Sequence, residues 1–381
     1  VVCMSGERGI IGRLCFRSVV TVRALFNPVG RRRSLGVPAE RFVYAFSLSL
    51  ALYHLLGQGV FFAPQDLHLV IHLCGVLTLT FLVFGRRGGR LGVSTVDIVL
   101  ALLCFLAGVY FACSTGKLLH RSLVITPLSF VDLMMAGMLL LLLFEGSRRT
   151  VGLPFVLVMF GFVLLMYCGP WLPGIWAHRG IGVIDILDSA IWNRMQGIWG
   201  VPLRMSATLI ALFIIFGKLI QYSGLPQAFT TICGALAAGA RGGPAKIAVV
   251  GSALVGSITS GPITNMLMTG SVTIPMMKEV GYKPHYAGAV EAAASTGASI
   301  VPPVMTGIVF IMAELTGTPY VRIMLLAVLP AVLYYTCLLL QVHLQAVHTG
   351  MRGSGQKVDL AAVRRELTQR GHLLLPVALL V

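Results

Sequence analysis

The 381-residue chain is 57% hydrophobic and only 11% charged, whereas soluble domains carry about a quarter charged residues, which excludes an ordinary soluble globular protein. Lys and Arg outnumber Asp and Glu by 29 to 13, a formal net charge of +16, but the basic residues sit in short clusters between long apolar runs; such clusters orient membrane proteins and argue against a nucleic-acid partner. A crossing of about 30 Å of hydrocarbon needs roughly 20 apolar residues, and several runs of that length predict an all-α polytopic membrane protein in contact with lipid.

In chain order, a basic segment, residues 1–41, comes first. Its Arg8, Arg13, Arg17, Arg23, Arg31, Arg32, Arg33 and Arg41 keep the N-terminus cytoplasmic by the positive-inside rule. No cleavable signal peptide is expected, because the first strongly apolar stretch begins near Phe42 and no A-x-A-like site precedes it. Four spans then fill residues 42–145, at about Phe42 to Phe62, Asp66 to Phe84, Thr95 to Cys113 and Leu128 to Phe144. Arg86, Arg87 and Arg90 follow the second span and Arg148 and Arg149 the fourth, both inside; the outer links carry only Asp66, then Lys117, His120 and Arg121. Residues 146–223 read as a linker span, Val151 to Cys168, an external link from Gly169 to Gly200, and a span from Pro202 to Tyr222. That link holds Trp171, Trp176, Trp192 and Trp199, residues that favour the headgroup layer, and predicts an interfacial helix.

Residues 224–320 do not fit the span template. Pro244 to Met277 and His285 to Leu315 are each too long for one straight helix and are broken by Gly, Ser, Thr and Pro, giving a predicted re-entrant hairpin at 244–278 and a broken helix at 284–316. Arg241 and Lys246 at one end of the first segment, and Lys278 and Lys283 at the other, place both ends on the cytoplasmic side. Parity agrees: with one segment returning and one crossing, Val321 to Gln345 spans the membrane (321–345) and the basic loop 346–370 lands inside. The chain starts at Val1 without Met and stops at Val381 inside a fresh apolar run, LLLPVALLV, within residues 371–381; a fragment of a longer chain is expected.

Unpaired backbone in lipid costs several kcal/mol per group, so broken segments at membrane depth mark buried or wetted sites. The hairpin turn reads GSITSGPITN, Gly256 to Asn265, where Gly256 and Gly261 free the backbone, Pro262 cannot donate, and Ser257, Thr259, Ser260, Thr264 and Asn265 offer oxygens. The break reads ASTGASIVPP, Ala294 to Pro303, with Ser295, Thr296, Gly297 and Ser299 before Pro302 and Pro303. Carbonyl and hydroxyl oxygens suit a small cation such as sodium, and half-helix N-termini suit a substrate carboxylate. Glu291 lies about two turns before Gly297 of the break and is either an intramembrane functional carboxylate or a structurally paired one. Small residues also let membrane helices pack closely; an isolated Gly or Ser reads as packing, two proline-bearing clusters on overlong segments read as a site. Asp97, Asp132 and Glu145, near span ends, read as structural. His54, His68, His72 and His343 are scattered singly, and the eight cysteines include no C-x-x-C pair, so neither a zinc site nor a disulfide framework is suggested.

From Gly197 to Tyr320 the text, including RGGPAKIAVVGSALVGSITSG, TGSVTIPMMKEVGYKPHYAGAVEAAASTGASIVPPVM and IMAELTGTPY, resembles the membrane permease of tripartite ATP-independent periplasmic (TRAP) transporters, most closely the fused permeases of the TAXI subtype. FEGSRRTVGLP and YCGPWLPGIWAHRG with the four earlier spans are similar to the small subunit joined to the start of the large one. The resemblance implies an elevator-type transporter in the bacterial inner membrane. Sodium as coupling ion, with no other cofactor and no ATP, would drive uptake of an organic acid delivered by a soluble periplasmic TAXI-type binding protein; it is not an enzyme. Carried onto this sequence, the sodium ligands fall at Ser257, Thr259, Ser260, Gly261 and nearby Asn265, and at Ser295, Thr296 and Gly297. Thr264, Glu291, Ser299, Pro302 and Pro303 are candidates for the substrate cavity. GPITN departs from the family's frequent Gly-Ser-x-x-Ala/Asn arrangement, which leaves open which hydroxyl coordinates. Only the first inverted repeat is present; the second is expected beyond Val381. Two rivals remain. An intramembrane hydrolase lacks a G-x-S-G or H-E-x-x-H pattern and a His in the broken segments; a structural or assembly subunit predicts that sodium leaves thermal stability unchanged.

Overall fold

The computed structural model describes residues 33, 35–61, 63–85, 92–120, 127–193, 197–224, 228, 231–232, 239–259, 261–351, 361, 364–365 and 368. The chain forms two compact units, Val1–Ala207 and Thr208–Val381. Among the described residues five helices are long and apolar enough to cross a membrane: Gln65–Val83, Thr95–Cys113, Phe130–Thr150, Val201–Leu219 and Tyr320–His348. The protein is an all-α, multi-pass membrane protein.

The first unit contains α1 (Val37–Gly59), α2 (Gln65–Val83), α3 (Thr95–Cys113), the short α4 (Thr115–His120), α5 (Phe130–Thr150), α6 (Leu153–Tyr167), α7 (Val183–Leu187) with a π turn over Asp188–Trp192, and α8 (Val201–Met205). Ser94 with Asp97, and Ser129 with Asp132, form capping boxes that start α3 and α5, satisfying amides the first helical turn cannot pair itself. The core follows from helical spacing. Leu69, Leu73, Leu77 and Phe81 of α2 meet Ala101, Cys104, Ala107 and Phe111 of α3 and Ala136, Leu139 and Leu142 of α5, the small residues letting the helices approach. Leu102, Phe105 and Leu106 face outward and are exposed, as lipid-facing positions are.

Several sequence expectations shift. α5 runs past Phe144 to Thr150 because its charges find partners: Arg149 Nη1 meets Asp97 Oδ1 at 2.6 Å and Arg149 Nε meets Glu145 Oε1 at 2.8 Å, while Arg33 Nη1 reaches Asp97 Oδ2 at 2.7 Å. The linker span between two glycine-rich corners is a helix of 15 residues, about 22 Å at 1.5 Å per residue, shorter than the hydrocarbon it was expected to cross. Trp171 and Trp176 are exposed, but Trp192 and Trp199 are buried against Phe111 rather than at a headgroup layer.

The histidines of α1 and α2 are not single. The turn between these helices brings His54 Nε2 to 2.8 Å from His72 Nδ1, and His72 Nε2 lies 3.1 Å from Ser206 Oγ. His68 Nε2 is 2.9 Å from the Ala207 carbonyl, held by the π turn over Ser206–Ile210. No group of three or more His, Cys, Asp or Glu among the described residues is placed to hold a metal ion.

The second unit contains α9 (Ala211–Tyr222), α10 (Gly243–Thr259), α11 (Pro262–Glu279), α12 (Pro284–Thr296), a 3-10 turn over Gly297–Ser299, α13 (Gly307–Thr316) and α14 (Tyr320–His348). Pro262 and Pro284 open their helices, where a missing N–H costs nothing. Gly317, at φ 61°, ends α13 in the left-handed conformation. α10, α11, α12 and α14 share one core, with Ala245, Ala248 and Val249, Met277, Ala287, Val290 and Ala294, and Tyr335 and Val342 at its centre.

Candidate functional site

The hairpin turn and the helix break lie against each other. The Val304 amide donates to the Ser257 carbonyl at 3.1 Å. A methyl group on Gly256 would sit 2.7 Å from Ala298 Cβ, so only glycine permits that approach. Other carbonyls at and beside the break are paired from within the protein: Tyr334 Oη donates to the Ala293 carbonyl at 2.7 Å, Tyr335 Oη to Ala294 at 2.8 Å, Tyr320 Oη to Pro303 at 2.6 Å, and the Thr306 amide to Ser299 at 3.2 Å. Irregular backbone is tolerated at membrane depth on this condition. α12 stays helical through Thr296, so the break starts later than its first Gly- and Ser-rich residue suggests.

Beside the break, Glu291 is completely buried. Its Oε1 accepts from Ser252 Oγ and from Ser295 Oγ, both at 3.2 Å, and from Thr269 Oγ1; its Oε2 accepts from Thr273 Oγ1 at 2.5 Å. No Lys, Arg or His among the described residues forms an ion pair with it. The hydroxyls come from three helices because Asn265, Thr269 and Thr273 share a face of α11 at four-residue spacing, as do Glu291 and Ser295 on α12. Asn265 is also fully buried; its Nδ2 donates to the Ser252 carbonyl at 2.9 Å, whereas its Oδ1, like the buried Thr259 Oγ1, has no partner among the described residues.

Of the residues expected to bind sodium, Thr259, Asn265, Ser295 and Gly297 are buried at this junction. Ser257 contributes its carbonyl, while its hydroxyl returns to Leu254 at 2.7 Å. Gly261 accepts the Asn265 amide at 3.1 Å and opens α11. Thr296 is exposed and its hydroxyl donates to the Ala292 carbonyl at 2.8 Å, so its side chain stays out of the cluster. Ser260 lies outside the described residues. Of the substrate-cavity candidates, Thr264, Ser299 and Pro302 are half-buried and Pro303 buried; Glu291 is locked in the interior rather than facing an open cavity. Ser252, Thr269, Thr273, Tyr334 and Tyr335 were missed. The polar stripe on α11 was a readable signal for two of them; the tyrosines had none, lying 41 residues from the carbonyls they serve.

A cavity of about 400 Å³ lies elsewhere, in the first unit, lined by Leu50, Val70, Cys74, Gly75, Phe105 and Gly108 among others.

Residues 136–381 match the sequence profile described as Tripartite ATP-independent periplasmic transporter, DctM component. The chain is also similar to a Haemophilus influenzae protein described as a TRAP transporter large permease protein, with 26% identity over 133 residues, 35% of this chain. That match covers 31% of the relative's own length.

Proposed function

The chain belongs to the DctM component family of tripartite ATP-independent periplasmic transporters, and from that premise we propose that it acts as the membrane permease of a binding-protein-dependent secondary transporter, taking up an organic acid on the inward flow of sodium. Its partner is a soluble periplasmic binding protein of the TAXI type, and it resides in the bacterial inner membrane with the N-terminus cytoplasmic. The observation that carries the reading is the junction of hairpin turn and broken helix. Two buried oxygens there, Thr259 Oγ1 and Asn265 Oδ1, have no donor among the described residues. Desolvated oxygen lone pairs are costly unless something positive meets them, and a small hard cation suits such oxygens. An ion bound there favours a nearby carboxylate by charge, which couples the two.

The rival reading, a structural subunit whose small residues only pack helices, is separated by thermal unfolding of the purified full-length protein at constant ionic strength. Sodium should raise the melting temperature over potassium or choline, with a stabilisation of about 2.7 kcal/mol at a hundred times its Kd. Identical melting in all three salts contradicts sodium coupling.

A further inference from the structure

We infer that Glu291 is the anionic centre of a second cation site, adjoining the hairpin turn, that takes a monovalent alkali ion, Na⁺. The inference rests on the sodium reading above and adds to it the ligand that carries the charge. Glu291 is wholly buried, with four hydroxyls around it and no ion-pair partner among the described residues. Thr269 and Thr273 lie one and two turns along α11 from Asn265, about 6 and 12 Å along the axis at 1.5 Å per residue, and Thr269 Oγ1 reaches the Asn265 carbonyl at 2.9 Å, so this centre adjoins the turn on its inner side.

Proton counting shows why the cluster accepts an ion. Each hydroxyl has one hydrogen, and three of the four have another acceptor ready, Ser252 Oγ with Thr269 Oγ1 at 3.1 Å among them. Thr269 Oγ1 lies 2.9 Å from the Asn265 carbonyl and Thr273 Oγ1 lies 3.0 Å from the Thr269 carbonyl. Without an ion, the hydroxyls turn their hydrogens to the carboxylate. With one, Thr269 and Thr273 return theirs to the carbonyls and present lone pairs inward. Two carboxylate oxygens and the oxygens of Ser252, Thr269, Thr273 and Ser295 then make six hard donors carrying one negative charge. That set neutralises one positive charge, so it selects a monovalent ion over a divalent one. Gly270 leaves room for the glutamate stem to lie against α11; an added methyl group there would stand 3.0 Å from Glu291 Cγ.

The test is the stoichiometry of ²²Na⁺ bound to the purified full-length protein, with a cooperative melting transition checked for each variant. Glu291→Gln should bind one Na⁺ fewer than the wild type, and Thr259→Ala should retain the site lost in Glu291→Gln. Thr273→Val should weaken one site roughly tenfold, about 1.4 kcal/mol, and it decides the matter if the Gln variant does not fold. Wild-type stoichiometry and affinity in the folded Gln variant, or in Thr273→Val when Gln does not fold, overturns the Glu291 site while leaving sodium coupling standing. Absence of saturable ²²Na⁺ binding in the wild type overturns both.

Discussion

Gly297 lies so close to the tyrosines of α14 that an added methyl group would stand 2.6 Å from Tyr335 Oη. That hydroxyl also supplies the Ala294 carbonyl with a donor at the point where α12 ends. Gly297→Ala should therefore cost about 1–3 kcal/mol by overpacking, and Tyr335→Phe about 1–3 kcal/mol by leaving a buried acceptor unpaired. Thermal unfolding of each single variant and of the pair measures both; because they meet at one contact, the losses should not add. Wild-type melting in both would mean that the break is not held by α14. Position in the sequence shows why these residues were unequally readable. Glu291 stood out as a carboxylate in an apolar segment and Gly297 as part of a cluster, whereas Tyr334 and Tyr335 read as ordinary span residues until the fold brought them to α12.

At the scale of elements, the helices that cross the apolar layer could be placed from composition because a long run of Leu, Val, Phe and Ala has few other solutions in lipid. Thr95 to Cys113 coincides with α3. Their ends were harder, since an end depends on partners elsewhere in the chain. In the final turn of α5, Arg149 meets Glu145 on its own helix and also Asp97 on α3, a residue 52 positions away. Arg149 and Asp97 are both buried; removing Asp97 takes the shared carboxylate from two guanidinium groups, Arg33 and Arg149, of which Arg149 keeps Glu145, and should cost about 3–5 kcal/mol. Asp97→Ala should lower the melting temperature strongly, and Asp97→Ala with Arg149→Met should recover part of the loss. A double variant no better than the single would show that Arg33, the other partner of Asp97, sets the cost. The three histidines teach the same lesson: singly placed in sequence, they are gathered by the α1–α2 turn.

For the whole molecule, apolar and basic segments alternating along the chain were enough for its class, an all-α membrane protein, and the hairpin and break marked the region proposed as the site. The interior network around Glu291 was not legible as a set, because its members come from α10, α11 and α12 and meet only when those helices pack. Sodium coupling at the hairpin junction is the central proposal for this chain. Its most direct measurement is uptake of labelled mono- and dicarboxylates into proteoliposomes holding the full-length protein, with the proposed TAXI-type binding protein outside. An inward sodium gradient should drive accumulation that stops when potassium replaces sodium or the binding protein is left out. Accumulation at the same rate in sodium-free medium would contradict the account.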